Sequence, residues 1–227
     1  MSRHWLAIGA LVLLSGSSRP STFTVTTAAD VGRGSLREAL TKAAKNAGPD
    51  TILFAPSLAG QLIRPLTPLP TLGDAGTEIN GDADGNGGPD VALDGSLLHP
   101  SWAASGLRVT ADDCTIRALV LSRFPAYQVD ALDGPGTKIV GCYINTNVSG
   151  TQSSFRASDA GISIGDADQV GGPGEGERNV ICVGSAIGIR MMGRGALVAN
   201  NWIGVPATGQ GTFAATREGT GIWIGSG

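Results

Sequence analysis

Residues 139–144 read Ile139-Val140-Gly141-Cys142-Tyr143-Ile144, and residues 198–203 read Val198-Ala199-Asn200-Asn201-Trp202-Ile203. Few identities are shared, yet apolar positions fall on apolar positions. The neighbouring phrases return at the same shift of about 60 residues: Val120-Leu121 falls on Val180-Ile181, and Gly161-Ile162-Ser163-Ile164-Gly165 falls on Gly221-Ile222-Trp223-Ile224-Gly225. A fixed period built from short β-type phrases is the mark of a stacked solenoid, in which each unit buries its apolar face against the next. Each unit of this length holds several strands, so it represents two or more coils.

Working outward, short strand-like runs occupy 22–27, 50–54, 61–64, 77–80, 91–94, 107–110, 115–121, 127–132, 138–144, 161–164, 179–182, 187–191, 196–203 and 221–224. Several alternate with period two, as Ile162 with Ile164 and Ile187 with Ile189, which buries one face of a strand. One helix is expected, over 35–44. Ser35 and Glu38 form a capping box, and Leu36, Ala39, Leu40, Ala43 and Ala44 make an apolar face. Gly48 and Pro49 stop it. Such an amphipathic helix suits the open end of a solenoid.

Composition agrees with this reading. The chain has 227 residues with 35 Gly and 12 Pro, so turns are frequent, and only 15% of residues are charged. The net charge of −3, with no basic run, argues against nucleic acid as a partner. Residues 1–17 read as a secretory signal: Arg3 and His4 lead an apolar stretch from Trp5 to Leu14, followed by Ser15-Gly16-Ser17. The apolar stretch is short for a membrane span, so no membrane segment is expected in the mature form, a retained anchor being the weaker alternative. Cys114, Cys142 and Cys182 are an odd set, read as small buried residues rather than a disulfide framework, with one adventitious bridge left open.

Thr24-Val25-Thr26-Thr27, Gly34-Ser35-Leu36-Arg37-Glu38-Ala39-Leu40 and Asp50-Thr51-Ile52 resemble the N-terminal CSLREA-type domain of secreted bacterial proteins, with Gly34 in place of the family's leading Cys. Arg178-Asn179-Val180-Ile181, Gly188-Ile189, Asn200-Asn201-Trp202-Ile203-Gly204 and Thr208-Gly209 look like the right-handed parallel β-helix repeats that follow it in pectate-lyase-like solenoids. The resemblance covers 22 to the end. It implies an all-β chain: a signal peptide over 1–17, a cap over 22–60, and right-handed parallel β-helix coils over 61–227. It also implies a secreted or cell-surface location. Relatives of this kind tend to be longer, and the chain is expected to be a fragment or early stop at Gly225-Ser226-Gly227.

The best cation candidate is Asp82, Asp84, Asn86 and Asp90 within Asn80-Gly81-Asp82-Ala83-Asp84-Gly85-Asn86-Gly87-Gly88-Pro89-Asp90. Alternating oxygen side chains with a glycine turn match the first part of a calcium loop, while Leu93 stands where the bidentate Glu is due, with Asp94 next to it. A plain polar turn is the competing reading, and any ion is structural. Asp112 and Asp113 point to opposite faces if they lie on a strand, and read as a solvated turn, as do Asp130 and Asp133. His99, outside the leader, reads as a loop residue beside Pro100. Asn200-Asn201 fits an inward amide ladder, and Tyr143, Trp202 and Trp223 are sugar-stacking candidates that serve equally for packing.

Lyases of the resembled class use a basic group, and Arg108, Arg117, Lys138, Arg190 and Arg194 are the candidates; in the repeat register Arg190 lies opposite Asp130, so the two units differ in charge there. Their vWiDH and RxPxxR motifs are absent, as is the full polygalacturonase set, so the catalytic residues stay unassigned. The reading is a β-helix presenting an extended face, with polysaccharide or cell-surface glycan as partner and calcium as structural cofactor. The alternative is a polysaccharide lyase or glycoside hydrolase.

Overall fold

The computed structural model describes residues 19–156, 160–183, 187–213 and 219–225. The expected leader at 1–17 lies outside them, as do Ser226 and Gly227. Three parallel sheets make up the molecule. The first has seven strands: β1 (Thr22–Val25), β2 (Thr51–Phe54), β4 (Glu78–Asn80), β7 (Thr115–Arg117), β10 (Lys138–Val140), β13 (Gln169–Gly171) and β16 (Leu197–Ala199). The second has six: β3 (Leu62–Ile63), β5 (Val91–Asp94), β8 (Leu119–Ser122), β11 (Tyr143–Ile144), β14 (Val180–Ile181) and β17 (Trp202–Ile203). The third has five: β6 (Leu107–Arg108), β9 (Tyr127–Ala131), β12 (Ala160–Ile164), β15 (Ile187–Met191) and β18 (Thr220–Ile224).

The chain visits the sheets in strict rotation from β4 onward: first, second, third, then first again. Strands one circuit apart pair in parallel, so equivalent residues stack in columns. In the first sheet Ile52, Ile79, Ile116, Ile139 and Val170 form one column, all fully buried. Ile63, Leu93, Leu121, Ile144 and Ile181 do the same in the second. Leu107, Val129, Ile162 and Ile189 do so in the third. The columns belong to one continuous core. Each such side chain contributes roughly 1.5–3 kcal/mol by leaving water. Ile222 continues the third column in β18, which pairs on one side only, and is 42% exposed.

The 60-residue repeat is two circuits. Val120 pairs with Tyr143, which pairs with Val180, and Ile162 pairs with Ile189, which pairs with Ile222. Three runs that read as single strands are each two strands in different sheets. The backbone turns between them at a residue of positive φ: Ala118 (51°), Gly141 (63°) and Asn200 (54°). One left-handed residue redirects the chain by breaking the extended geometry. Gln169–Gly171 was not anticipated as a strand, because only Val170 carries an apolar signal there.

The helix α1 (Leu36–Ala43) forms as expected. Ser35 is its N-cap, accepting from the Glu38 N–H, while Glu38 accepts from the Gly34 N–H at 2.6 Å. Leu36, Ala39, Leu40 and Ala43 are buried, and the helix packs on β1 and β2, where the first sheet begins. Among the described residues, no helix is long and apolar enough to cross a membrane.

Candidate functional site

Polar chemistry collects on the third sheet. Register places Arg108, Asp130, Ser163, Arg190 and Trp223 in one row across its five strands. Strands stand about 4.8 Å apart, so the row extends over about 19 Å. Arg108, Asp130, Ser163 and Arg190 each neighbour a member of the buried Leu107–Val129–Ile162–Ile189 column, and Trp223 neighbours Ile222, which continues it, so alternation sends the row to the opposite face.

The row is tied together. Arg190 donates from Nη1 to the Tyr127 hydroxyl at 2.8 Å, crossing the intervening strand β12, on which Ser163 is completely buried. The Ser163 hydroxyl has no hydrogen-bond partner. The Arg190 guanidinium also lies 5.5 Å from the centre of the Trp223 ring. At the other end Arg108 pairs with Asp133 at 2.7 Å, both half-exposed. That exposed pair is worth at most about 1 kcal/mol, but it orients the guanidinium beside Asp130.

Asp130 sits in a cleft of about 510 Å³ lined by Leu69, Thr71, Trp102, Ser105 and Arg108. Burial raises its carboxyl above the ordinary range, with the Asp133 charge adding to the effect. The Leu132 N–H and the Arg108 and Arg190 charges oppose it. Trp102 is 40% exposed at the cleft and stands 6.1 Å from the His99 ring. His99 itself bonds Ser101 at 2.7 Å within its loop.

Structure thus joins Arg190 and Asp130, which the 60-residue register already set opposite one another, with Arg108, Asp133 and Trp223, which were singled out separately, and adds Tyr127, Trp102 and Ser163, which were not. Asp130 lies on β9 rather than in a turn. Arg117 and Lys138 belong to the first sheet, and Arg194 lies past β15, its N–H on the Asp166 carboxylate. Asp113 has φ of 57° and, with Asp112, occupies a turn. Trp202 lies 4.4 Å beneath the Arg178 guanidinium, so one face of its ring is occupied. An aromatic at or before the start of a third-sheet strand was the one available signal for Trp102 and Tyr127.

A second polar feature interrupts the corner between the first and second sheets. Where Ala118 alone turns the chain one circuit later, residues 82–90 form an inserted loop. One oxygen each from Asp82, Asp84 and Asp90 lies within 4.8 Å of the others. The loop's own N–H groups hold the carboxylates in place. Asp82 accepts from Gly85 and Gly87, Asp90 from Ala83 and Asp84, and Asp84 from the Asn86 backbone. Asn86 gives its amide to Asp84 and accepts from Gly88. Grouped carboxylate oxygens fit a hard cation such as calcium. The place of the usual final ligand is lost to packing: Leu93 is in the core, and buried Asp94 is held by Arg64 and Arg123 at 3.2 and 2.6 Å.

At the same corner, Asn179 donates to Asn201 at 2.9 Å and to the Ile139 carbonyl, and accepts from the Cys142 N–H. This amide ladder is structural. All three cysteines are buried, and burial pushes Cys114 up to about 11 and Cys142 to about 12, so neither of these two carries thiolate character.

No protein-family model, curated protein or solved structure matches this chain.

Proposed function

We propose that this protein is a right-handed parallel β-helix with a CSLREA-type N-terminal cap, acting outside the cytoplasm, whose third-sheet face binds a polysaccharide or cell-surface glycan. The observation that carries the proposal is the in-register row Arg108–Asp130–Ser163–Arg190–Trp223 beside the Trp102 cleft. Its length of about 19 Å matches several sugar units end to end. Aromatic faces stack on sugar rings, and fixed guanidinium and carboxylate groups hydrogen-bond hydroxyls and uronate carboxylates. Asp82, Asp84 and Asp90, with Asn86, hold a calcium ion that stiffens the corner loop, away from this face.

The test is calorimetric titration with a panel of acidic and neutral oligosaccharides, with product analysis by mass spectrometry on the same mixtures. Binding that Arg190→Ala weakens at least tenfold supports the proposal. Absence of binding across the panel by folded protein refutes it.

A second reading, polysaccharide cleavage, draws on one observation: Asp130 lies in a cleft beside Arg108 and burial raises its carboxyl, the direction a general acid requires. Shortened products that vanish in Asp130→Asn would establish cleavage, with unsaturated ends marking a lyase and saturated ends a hydrolase.

A further inference from the structure

One residue before each of the first six strands of the first sheet, β1 to β13, the register stacks Ser21, Asp50, Thr77, Cys114, Thr137 and Asp168 in a column, polar but for the Cys114 thiol. At its C-terminal end the column is satisfied. Asp168 accepts from the Thr137 N–H at 2.8 Å and the Gly165 N–H at 2.7 Å, and the Thr137 hydroxyl donates to the Gly134 carbonyl at 2.6 Å. At its N-terminal end it is not. Asp50 Oδ1 accepts from the Ser21 N–H and the Asn46 amide, but Asp50 Oδ2 has no partner, nor has Thr77 Oγ1 or the nearby Asp74 Oδ2. Asp50 and Thr77 are each 1% exposed.

These orphan oxygens belong to one neighbourhood. Thr77 and Asp74 line a cavity of about 10 Å³ closed by Leu40 and Ala43 of α1 and by Leu72. Asp50 is outside that lining but stands next to Thr77 in the column; burial together with the Asp50 charge raises the Asp74 carboxyl, against a hydrogen bond from the Gly48 backbone. Neither carboxylate takes part in an ion pair among the described residues. The volume matches one water or one small ion. Two carboxylates and a hydroxyl are an all-oxygen donor set carrying two negative charges, which suits a hard divalent cation. Leaving such groups bare inside the protein is costly.

We infer that Asp50, Asp74 and Thr77 bind a single hard divalent cation, magnesium or calcium, beneath α1, bracing the capping helix against the first two circuits. This site is separate from the Asp82–Asp90 loop and does not depend on it.

The test uses the full chain carrying Asp82→Asn, Asp84→Asn and Asp90→Asn together, so that the corner loop contributes no binding. After chelation, equilibrium dialysis against magnesium or calcium should return one ion per chain. Saturating cation should raise Tm by about 5 °C or more. Asp74→Asn, a near-isosteric change at a partly exposed residue, should abolish both effects, and Thr77→Val should weaken binding at least tenfold. Zero ions in the triple variant would overturn the inference, as would an unchanged ion count in Asp74→Asn. It would also fall if Tm were indifferent to both cations.

Discussion

The two faces of the third sheet differ in kind. Inside, Leu107, Val129, Ile162 and Ile189 repeat one chemistry, circuit after circuit. Outside, Arg108, Asp130, Ser163, Arg190 and Trp223 stand in the same register, yet no two neighbours are alike. Stacking demands uniformity only where side chains share a dry interior, because a polar group there lacks a partner. The outward face carries no such demand and can differ at each circuit. Function is therefore to be sought where the repeat stops repeating.

Neighbouring residues on β12 give the most severe test of that contrast. Ile162→Ala should lower stability by about 2–5 kcal/mol, because the cavity lies between rigid strands. The adjacent Ser163→Ala should be neutral or slightly stabilising, since it removes a buried hydroxyl without a partner. Urea unfolding of both variants would decide it, and equal losses would erase the distinction between the faces.

Asp168 tests the polar exception to interior uniformity. Burial is the main force pushing its carboxyl up to about 6, against the N–H groups of Gly165 and Thr137. An unfolded aspartate titrates near 3.9. Between those values the native state holds a proton that the unfolded chain has released, so this residue's contribution to stability falls as pH rises through the window. Thermal melts from pH 3.5 to 7 should show that slope, and Asp168→Asn should remove it. The variant should also cost about 1–3 kcal/mol, because an amide turns a donor toward one of two N–H groups.

On the outer face, Tyr127→Phe removes the hydroxyl that anchors Arg190. It should weaken glycan binding about threefold to tenfold with little change in Tm, a weaker effect than Arg190→Ala. Equal affinity for wild type and variant would show that the anchored guanidinium is not part of the binding face. The smallest expected effect is at the corner: Ala118→Gly should raise stability by about 0.5–1 kcal/mol by relieving positive φ, visible as a small rise in the urea midpoint.

Much of the architecture was readable before folding. Period two in Ile162 and Ile164 identified inward positions, and Ser35 with Glu38 located α1 to within a residue. The sheet corners were not readable. Thr115–Arg117 and Leu119–Ser122 look like one apolar run, because Ala118 carries no mark of the left-handed turn it makes. The repeat register set Arg190 opposite Asp130, as the pairing has it, but the place of Arg108 beside them was hidden by the differing lengths of chain between circuits. The orphan oxygens of Asp50, Asp74 and Thr77 gave no signal, since an aspartate before a strand reads the same whether or not its carboxylate finds a partner.

By itself the sequence determined which side chains must leave water, roughly how often the chain returns to the same place, and where α1 begins. Those are local properties, set by apolar spacing and by capping chemistry that acts within a few residues. Only the tertiary structure decided that the 60-residue repeat is two circuits, that Arg108 joins Asp130 and Arg190 on one face, and that Asp94 is bound to two arginines instead of the Asp82 loop. Those are matters of register between strands distant along the chain, and register is fixed by the packing of the three columns together.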